Sequence, residues 1–362
     1  MVKGLQVGIA MVLGILLGMT GISAQAIPVT HQRSTALSVG RLRSINDRAV
    51  HYVGVPRKYQ HARRPHGVNR VTSSHGRRVT FATKYLLPYP GYHHQAWGNP
   101  QSMTTDNRYL YVIYCPTAWK NRGRLVRYDL RKLAANHVTP RDLQRVYVTK
   151  AKKARAIKRA IKIGPAFVTG HGQSLAYNWK EHHLYMWCDR ESAPRVPTSQ
   201  YGYMTQISGR RLKPTRQVRC RLKQGKFAVP GGHVLTFDHS GHAYFWSRPT
   251  AHRVYLYRGT VRAHHVKFRL THQVLRRGPG TRVQSIAYNS RTKRLYLVAD
   301  DSIANLPVRK LAGRGHLTSR DIRWNRFSSR REFEGLTFAR NGRAYLLSNH
   351  NPEVMISNRQ NW

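Results

Sequence analysis

The 362-residue sequence predicts an all-β fold, and three observations lead to that prediction. A two-strand pattern rich in β-branched and aromatic residues occurs five times along the chain. A short polar turn separates the two strands of each unit. Hydrophobic residues make up 40% of the chain and aromatic residues 10%, which is enough to bury a core.

The first 26 residues have the layout of a secretory signal peptide. Lys3 precedes an apolar run over 7–22, and Ala24-Gln25-Ala26 supplies small residues at a cleavage site. The alternative is an uncleaved membrane anchor, because the run is nearly long enough to span a bilayer. We expect cleavage before Ile27 and a secreted protein that is extracellular or associated with the cell wall.

Residues 27–75 differ from the rest of the chain in charge and patterning. They contain nine Lys or Arg residues and five His residues against a single acid, Asp47. They also show little apolar periodicity. We therefore predict a disordered basic arm. The alternative is a solvated tail without a specific partner.

Each of the five repeated units opens with a polar residue and continues as a hairpin. Successive units start 72, 60, 51 and 50 residues apart. The five hairpins lie at 101–112, 173–187, 233–246, 284–298 and 334–347. A β-rich repeat of about 40–50 residues is typical of propeller blades.

We therefore predict one five-bladed β-propeller over 76–362, with blades that start near 97, 169, 230, 281 and 331. Candidate third and fourth strands lie at 125–128 and 145–148, 202–207 and 217–222, and 254–257 and 266–270. After the fifth hairpin the remaining chain suffices for a third strand only. Residues 79–86 would supply the missing outer strand and close the ring. An open sandwich or a row of separate hairpin domains is the alternative.

The longest interval between units contains a segment, 149–163, that predicts a basic amphipathic helix. Ala154, Ile157 and Ile161 fall on one helical face. The cations expected to bind an anionic surface are Lys152, Lys153, Arg155, Lys158, Arg159 and Lys162. The alternative is a short helix packed on the propeller rim, with its basic face in solvent.

The charge balance predicts the class of partner. The chain has 63 Lys and Arg residues against 14 Asp and Glu residues, a formal net charge of +49 at pH 7. Such a surface attracts polyanions. Since export argues against nucleic acid as a physiological partner, we expect anionic cell-wall polymers such as teichoic acid, or an anionic membrane surface. The sequence predicts a monomer with no cofactor and no metal site.

Propeller geometry places the start of each inner strand at one mouth of the central channel. We therefore expect Gln101, Gln173, His233, Gln284 and Glu334 to form a ring there. Residues beside the strands complete the predicted ligand site: His171, Asp189, Asp301 and His350. Six of the 14 acids fall in this zone, namely Asp189, Glu191, Asp300, Asp301, Glu332 and Glu334.

Two interpretations of this mouth remain open. In the first, the amides cap channel-facing backbone and the acids pair with Arg190, Arg282 and Arg331. In the second, the mouth is a pocket for sugar hydroxyls, a cation or a cationic group. Nearby aromatic side chains could then stack on a sugar ring; they are Tyr114, Trp119, Trp187 and Trp246.

The sequence contains little that indicates an enzyme. It has no GxSxG, HExxH, P-loop or Cys-His constellation. The three cysteines, Cys115, Cys188 and Cys220, show no metal-ligand spacing. Glycoside cleavage needs two carboxyls about 5–10 Å apart. Glu334 with Asp189, Asp300 or Asp301 could provide them.

The units GHGQSLAYN…HLYMW and VQSIAYN…RLYLV, together with the N-terminal segment and the basic charge, resemble secreted proteins of lactic acid bacteria. More narrowly, the pattern over about 97–350 resembles the helveticin J-like bacteriocin family. We expect a cationic, surface-associated propeller that binds a glycan or small ligand at the channel mouth. The alternatives are a bacteriocin that acts on competitor envelopes and a glycan-active hydrolase.

Overall fold

The computed structural model describes residues 26–362, except 46, 48–49, 51–52, 89–90, 93–94, 97–98, 189–200, 230–233 and 313–314. Strands dominate this part of the chain. In chain order they are β1 (Val29–Thr35), β2 (Leu37–Val39), β3 (Arg43–Ile45), β4 (Arg70–His75), β5 (Thr80–Leu86), β6 (Gly91–Tyr92), β7 (Gln95–Ala96), β8 (Asn99–Thr105), β9 (Tyr109–Cys115), β10 (Arg122–Asp129), β11 (Ile161–Val168), β12 (Ala176–Asn178), β13 (His183–Trp187), β14 (Gly202–Ile207), β15 (Pro214–Arg221), β16 (Lys223–Gln224), β17 (Phe227–Ala228), β18 (Thr236–Phe237), β19 (Ala243–Thr250), β20 (Arg253–Arg262), β21 (His265–Leu275), β22 (Ser285–Asn289), β23 (Arg294–Ala299), β24 (Ser302–Pro307), β25 (Arg323–Phe327), β26 (Phe333–Phe338), β27 (Ala344–Ser348) and β28 (Glu353–Ser357).

The helices in the described ranges are short and lie together in sequence between β10 and β11. They are α1 (Leu130–Ala135), α2 (Pro140–Gln144) and α3 (Lys152–Lys158). Single 3₁₀ turns occur at Thr117–Trp119, Val308–Leu311 and Ser319–Asp321. Asp129 caps α1 by accepting from the backbone of Arg131 and Lys132, and Thr139 with Asp142 forms a capping box at α2.

The strands assemble into antiparallel sheets that follow the predicted hairpins. Three sheets run from inside to outside as β8-β9-β10-β11, β12-β13-β14-β15 and β18-β19-β20-β21. A nine-stranded sheet joins two further groups, β22-β23-β24-β25 and β26-β27-β28-β5, through β4. β5 pairs antiparallel with β28, so the strand predicted at 79–86 does complete the last group.

The first strands of these groups surround a common axis. β8 contacts β12 and β26, β18 contacts β12 and β22, and β22 contacts β26, which closes a ring. The ring is tight at Gly335, where an added Cβ would lie 3.1 Å from the Met103 backbone nitrogen. Hairpin sheets that radiate from a closed ring of inner strands define a β-propeller.

The polar turns of the hairpins share one hydrogen-bonding pattern, which explains why each turn contains an Asp or Asn residue. An Asp or Asn side chain accepts hydrogen bonds from backbone N–H groups two to four residues further on, an arrangement that stabilises tight turns. The acceptors are Asp106, Asn178, Asp238 and Asn289. The repeated Tyr of the second strand donates to an acid of its own turn in three units, at Tyr111, Tyr185 and Tyr244.

The expectation of a disordered basic arm over 27–75 is wrong for much of this segment. β1 pairs parallel with β15, and β2 and β3 pair parallel with β21. β4 lies between β25 and β5. The outer edges of sheets carry unpaired backbone groups, and the arm supplies partners for them. The arm also buries Ala36, Leu37, Ile45 and Val50 in the core, but these four are too irregularly spaced to give a strand-like apolar pattern.

Two further predictions of local structure need correction. The strand expected at 145–148 is absent; these residues form turns after α2, and β11 takes the outer place in that sheet. The helix expected over 149–163 spans only Lys152–Lys158, because the chain enters β11 at Ile161. α3 buries Ala154 and Ile157 and packs on α2 and β11.

Candidate functional site

The inner strands bring four of the five predicted ring residues together at one mouth of the channel. Gln101 lies in β8 and Glu334 in β26, while Gln173 and Gln284 precede β12 and β22. The Gln173 amide nitrogen lies 2.7 Å from the Gln284 carbonyl oxygen and 3.5 Å from a Glu334 oxygen. Gln101 donates to the other Glu334 oxygen at 3.4 Å. His233 lies outside the described residues.

The Ser that follows the ring Gln explains why the pair is repeated. The Ser102 hydroxyl donates to the Gly172 carbonyl at 2.5 Å and accepts from the Leu175 backbone at 3.2 Å. The Ser285 hydroxyl likewise accepts from the backbone of Leu336 at 3.2 Å. These serines join neighbouring inner strands, which holds the amides beside them in place.

A second layer of acids surrounds the ring. Gln284 donates to Asp300 at 2.9 Å, which connects the ring to the end of β23. The Asn349 amide donates to Glu332 at 3.1 Å and to Glu334 at 3.4 Å. Asp300, Glu332 and Glu334 thus share one network of amide donors. We call these three acids, together with Gln101, Gln173, Gln284 and Asn349, the channel-mouth cluster.

The N-terminal arm reaches this cluster, which the sequence did not predict. The Tyr59 hydroxyl donates to Asp300 at 3.0 Å, and its ring stacks on His350 with centroids 5.2 Å apart. His350 lies 3.2 Å from Glu332 through Nε2. His61 packs edge-on against His350 and hydrogen-bonds Asn351 at 3.0 Å. No local pattern marks Tyr59 or His61, because their place depends on the path of the arm.

Burial makes Glu334 and Asp300 harder to ionise than exposed carboxyls. Glu334 is 2% exposed, and burial raises its pKa well above the usual range. The negative charges of Glu332 and Asp300 raise this pKa further, while hydrogen bonds from Gln173 and Asn349 oppose the rise. Burial also raises the pKa of Asp300, against hydrogen bonds from Gln284 and Tyr59. The protonated form of Glu334 is therefore favoured relative to an exposed glutamate.

The mouth acids are not paired with arginines in the described part of the chain. Arg331, expected as a partner, instead binds Glu353 at 2.8 Å in a buried ion pair. Arg282 is exposed and acts on Asp300 through its charge, without an ion pair there. Arg190 lies outside the described residues. The predicted pairing of the mouth acids with Arg282 and Arg331 is therefore wrong among the described residues, although the charge of Arg282 lowers the pKa of Asp300.

One polar atom of the cluster is left over. The Gln101 side chain is buried, and its carbonyl oxygen has no hydrogen-bond partner among the described residues. Its amide nitrogen is directed to Glu334. A buried acceptor without a partner costs about 1–3 kcal/mol.

Several residues predicted for the ligand site lie outside the channel-mouth cluster or have a structural role. Asp301 accepts from the Ser329 hydroxyl and the Arg330 backbone, so it holds a loop rather than joining the cluster. His171 is exposed between two glycines with positive φ, just before Gln173. His350 does lie beside the cluster. Asp189 lies outside the described residues.

The aromatic residues predicted to stack on a sugar are largely in the core. Tyr114, Trp187 and Trp246 are each at most 2% exposed. Trp187 packs against Phe245 and Phe268 between sheets, and the indole of Trp246 donates to the Ser285 carbonyl at 2.9 Å. The prediction that these three side chains stack on a sugar is wrong, because they point from the second strands into the core between the sheets. Trp119 is half-buried under Arg124.

The six predicted surface cations are all exposed, although they do not form one helix. Four lie in α3, Arg159 caps its end, and Lys162 belongs to β11. Lys153 binds Asp142 at 2.6 Å and the His137 carbonyl at 3.1 Å. The apolar side of α3 packs against the rest of the protein. Of the two predicted alternatives, this matches the short helix packed on the rim with its basic face in solvent.

Other features bear on the chemistry of the described ranges. Cys115 lies 3.4 Å from the Thr169 hydroxyl, whereas Cys188 and Cys220 are buried. No group of three His, Cys, Asp or Glu side chains in these ranges is arranged to hold a metal ion. None of the helices there has the length and apolar character to cross a membrane.

Comparison with known proteins gives no family for this chain. No protein-family model and no curated protein sequence matches it. Among solved structures, a glucose dehydrogenase covers 80% of this chain and 95% of its own at 11% identity, with a TM-score of 0.41. The soluble aldose sugar dehydrogenase of Escherichia coli covers 77% and 99% at 9% identity, with a TM-score of 0.38. A Bacteroides thetaiotaomicron protein of unknown function covers 83% and 69% at 12% identity, with a TM-score of 0.38.

These structural similarities assign no activity, and the propeller architecture rests on the strand pairing described above. The resemblance to the helveticin J-like family has no support from a family model and stays a prediction.

Proposed function

We propose that this protein is a secreted, cell-surface-associated propeller that adsorbs to anionic envelope polymers and binds a glycan at its channel mouth. The composition of the channel-mouth cluster carries the proposal. Three acids are held by amides, without a Lys or Arg ion pair in the described ranges, in a chain of net charge +49. Amide and carboxyl groups can both donate to and accept from sugar hydroxyls when the carboxyl is protonated.

The number of blades belongs to the same proposal. The closed ring of five inner strands supports a five-bladed propeller. The pairing of β5 with β28 supports closure by an outer strand from the N-terminal side. In this arrangement the polar starts of the four described repeats share one opening, so a single ligand could contact several units at once.

Adsorption is supported by the excess of exposed cations. The six basic residues of 152–162 all face solvent, and the whole chain has only 14 acids against 63 Lys and Arg residues. Exposed charges are screened over about 8–10 Å at physiological salt. Adsorption to teichoic acid or to an anionic membrane should therefore weaken steeply with salt, whereas hydrogen bonding at the mouth should not.

The test uses matched glutamine variants on cell walls stripped of teichoic acid, in 1 M NaCl. Gln173→Leu removes the amide that links Gln284 and Glu334, whereas Gln206→Leu makes the same change in β14, away from the mouth. We expect wild type and Gln206→Leu to be retained and Gln173→Leu to bind about tenfold more weakly. Equal retention of all three proteins, or no retention of wild type, would contradict the proposal.

Glycan hydrolysis is a second candidate, favoured by the raised pKa of Glu334 beside two other acids. A carboxyl with a raised pKa can act as the general acid that protonates a leaving group. If the protein is a hydrolase, wild type releases sugar from walls, and Glu334→Gln binds without releasing any. Binding without release by either protein would exclude this candidate. Killing of related bacteria by the wild type would instead favour the bacteriocin alternative.

A further inference from the structure

A basic groove lies beside the channel mouth, between the arm and the chain that leads into β26. One wall is formed by residues 60–72 and the other by residues 328–331, and the groove has a volume of about 690 Å³. The Gln60 backbone donates to the Arg330 carbonyl at 2.9 Å, which ties the two walls together. Pockets of this size take small molecules or a short stretch of a polymer.

The loop that forms the first wall is held in a defined shape. The Asn69 side chain accepts from the Arg64 backbone at 2.9 Å and donates to the Arg64 carbonyl at 3.0 Å. Asn69 is buried, and its own backbone nitrogen donates to Thr83 at 2.7 Å. The arginines on this wall are therefore presented from fixed backbone positions.

Four exposed arginines line the groove, and we call it the arginine groove. They are Arg63, Arg64, Arg70 and Arg330. In the described part of the chain none of their guanidinium groups forms an ion pair or a hydrogen bond. This contrasts with the fifth arginine of the groove, Arg331, which is buried and bound to Glu353.

The acids near the groove do not neutralise these four cations. Glu353 is fully buried and is matched by Arg331, by the Thr83 hydroxyl at 2.5 Å and by Asn69 at 3.4 Å. Asp301 is 5% exposed and accepts from Ser329 and the Arg330 backbone. The residues that line the groove include no acid, and Glu353 is already matched by Arg331, so the four exposed arginines make the groove attractive to anions.

The geometry points to a phosphodiester-linked polyol chain as the ligand of the arginine groove. All four exposed cations of the groove are arginines, whose planar guanidinium groups bind phosphate oxygens through two parallel hydrogen bonds. A concave groove can enclose a flexible chain, whereas a flat bilayer contacts convex surfaces best. Two walls that both carry arginine suit a polymer with a charge on every repeating unit.

This inference rests on the proposed adsorption to envelope polymers and names the site for it. The rest of the basic surface would then act mainly by long-range attraction, which concentrates the protein near the polymer. The arginine groove would add short-range, charge-assisted hydrogen bonds to the phosphates, and these contacts remain sensitive to salt.

The test compares two triple variants that remove equal charge. The groove variant is Arg63→Gln, Arg70→Gln and Arg330→Gln. The control is Lys152→Gln, Arg155→Gln and Arg159→Gln on the exposed side of α3. None of these six side chains has a hydrogen bond or ion pair among the described residues, so both variants should fold, which thermal unfolding will verify.

The probe is purified poly(glycerol phosphate) at 0.15 M NaCl, measured by calorimetry. We expect the groove variant to bind about tenfold or more weakly and the control to change less than about threefold. Equal losses in both variants, or no loss in the groove variant, would overturn the inference. Wild type that does not bind the polymer at all would defeat the proposed adsorption itself.

Two further probes distinguish the sources of an anionic ligand. Vesicles of phosphatidylglycerol present phosphate as a lipid headgroup, and polyglutamate presents carboxylates on a chain. We expect the groove variant to lose little affinity for either. If its largest loss is for vesicles, the ligand is a lipid surface and the inference is wrong. An equally large loss for polyglutamate would show a general anion site rather than one for phosphodiesters.

Discussion

The channel mouth and the arginine groove lie side by side but contain opposite kinds of ionisable group, carboxyls at the mouth and guanidinium groups in the groove. At the mouth, Asp300 and Glu334 are held by amides and a tyrosine. In the groove, four arginines have no acid partner among the described residues. The two regions meet at Arg331, which belongs to the groove and donates to the Asn349 carbonyl beside the mouth at 3.1 Å.

This difference shows that the fold separates charges that it could have paired. Stability alone would favour arginines next to the buried acids, because an unpaired buried carboxyl destabilises the folded state. The buried ion pair beside the groove, Arg331 with Glu353, involves no acid of the mouth, and Arg331 reaches the mouth only through backbone carbonyls such as that of Asn349. Under the two proposals above, the mouth is therefore available to a glycan and the groove to an anionic polymer.

The largest effect is expected where the two regions are joined. Glu353→Gln leaves the buried Arg331 guanidinium without its carboxylate, and we expect a loss of about 3–5 kcal/mol in the free energy of unfolding. Urea denaturation measures this loss. The double variant Arg331→Met with Glu353→Gln should recover part of it. A loss below about 1 kcal/mol would show that this pair does not tie the regions together.

The same substitution at the mouth is expected to act in the opposite direction. Glu334→Gln replaces a buried carboxyl that resists ionisation, so we expect a gain of about 1–3 kcal/mol near neutral pH. The sign follows from the raised pKa: the folded protein holds the proton more tightly, so stability falls as pH rises above the unfolded pKa of about 4.3 toward the folded value.

Denaturation of wild type and Glu334→Gln at pH 4 and pH 7.5 checks this sign. The gain from the variant should be present at pH 7.5 and small at pH 4, where both states of the wild type are protonated. An equal difference at the two pH values would contradict the assigned pKa direction.

A smaller effect is expected where the arm covers the mouth. Tyr59→Phe removes the hydrogen bond to Asp300 but keeps the ring that stacks on His350. We expect a local loss of about 1 kcal/mol, seen as faster amide exchange around residues 59–61. Tyr288→Phe, at a half-buried tyrosine without such a bond, serves as the control. If amide exchange around residues 59–61 is unchanged in Tyr59→Phe, the hydrogen bond to Asp300 does not stabilise the position of the arm at the mouth.

The smallest effect is expected on the exposed basic surface. Lys153→Gln breaks the ion pair with Asp142, which lies at the solvent-exposed end of α2. Since exposed ion pairs contribute about 0–1 kcal/mol, unfolding should change by no more than that. If Lys153→Gln lowers thermal stability as much as Glu353→Gln does, the claim that buried ion pairs contribute more to stability than exposed ones is wrong.

The repeated hairpins could be predicted from sequence because each carries its own signal. Strand residues alternate with an Asx-capped turn, and the Gln-Ser pair recurs where inner strands meet. The same reasoning placed Gln101, Gln173, Gln284 and Glu334 together. It also identified 79–86 as an outer strand, since the last group lacked one.

The remaining features depend on tertiary contacts that leave no local pattern. β1, β2 and β3 are edge strands that pair through their backbone. Their basic sequence therefore led to a prediction of disorder. Tyr59 reaches Asp300 only through the path of the arm. Trp187 and Trp246 of the second strands were wrongly predicted to contact sugar, because whether a strand side chain points into the core depends on how the sheets pack.

The central claim is that the two regions bind separately, and wall binding in a salt series tests it most directly. Wild type, Gln173→Leu and the groove triple variant are compared on intact walls at 0.1 and 1 M NaCl. We predict that the groove variant loses mainly the salt-sensitive component and Gln173→Leu mainly the salt-resistant one. If either variant removes both components, or neither variant changes binding, the separation of the mouth from the groove is wrong.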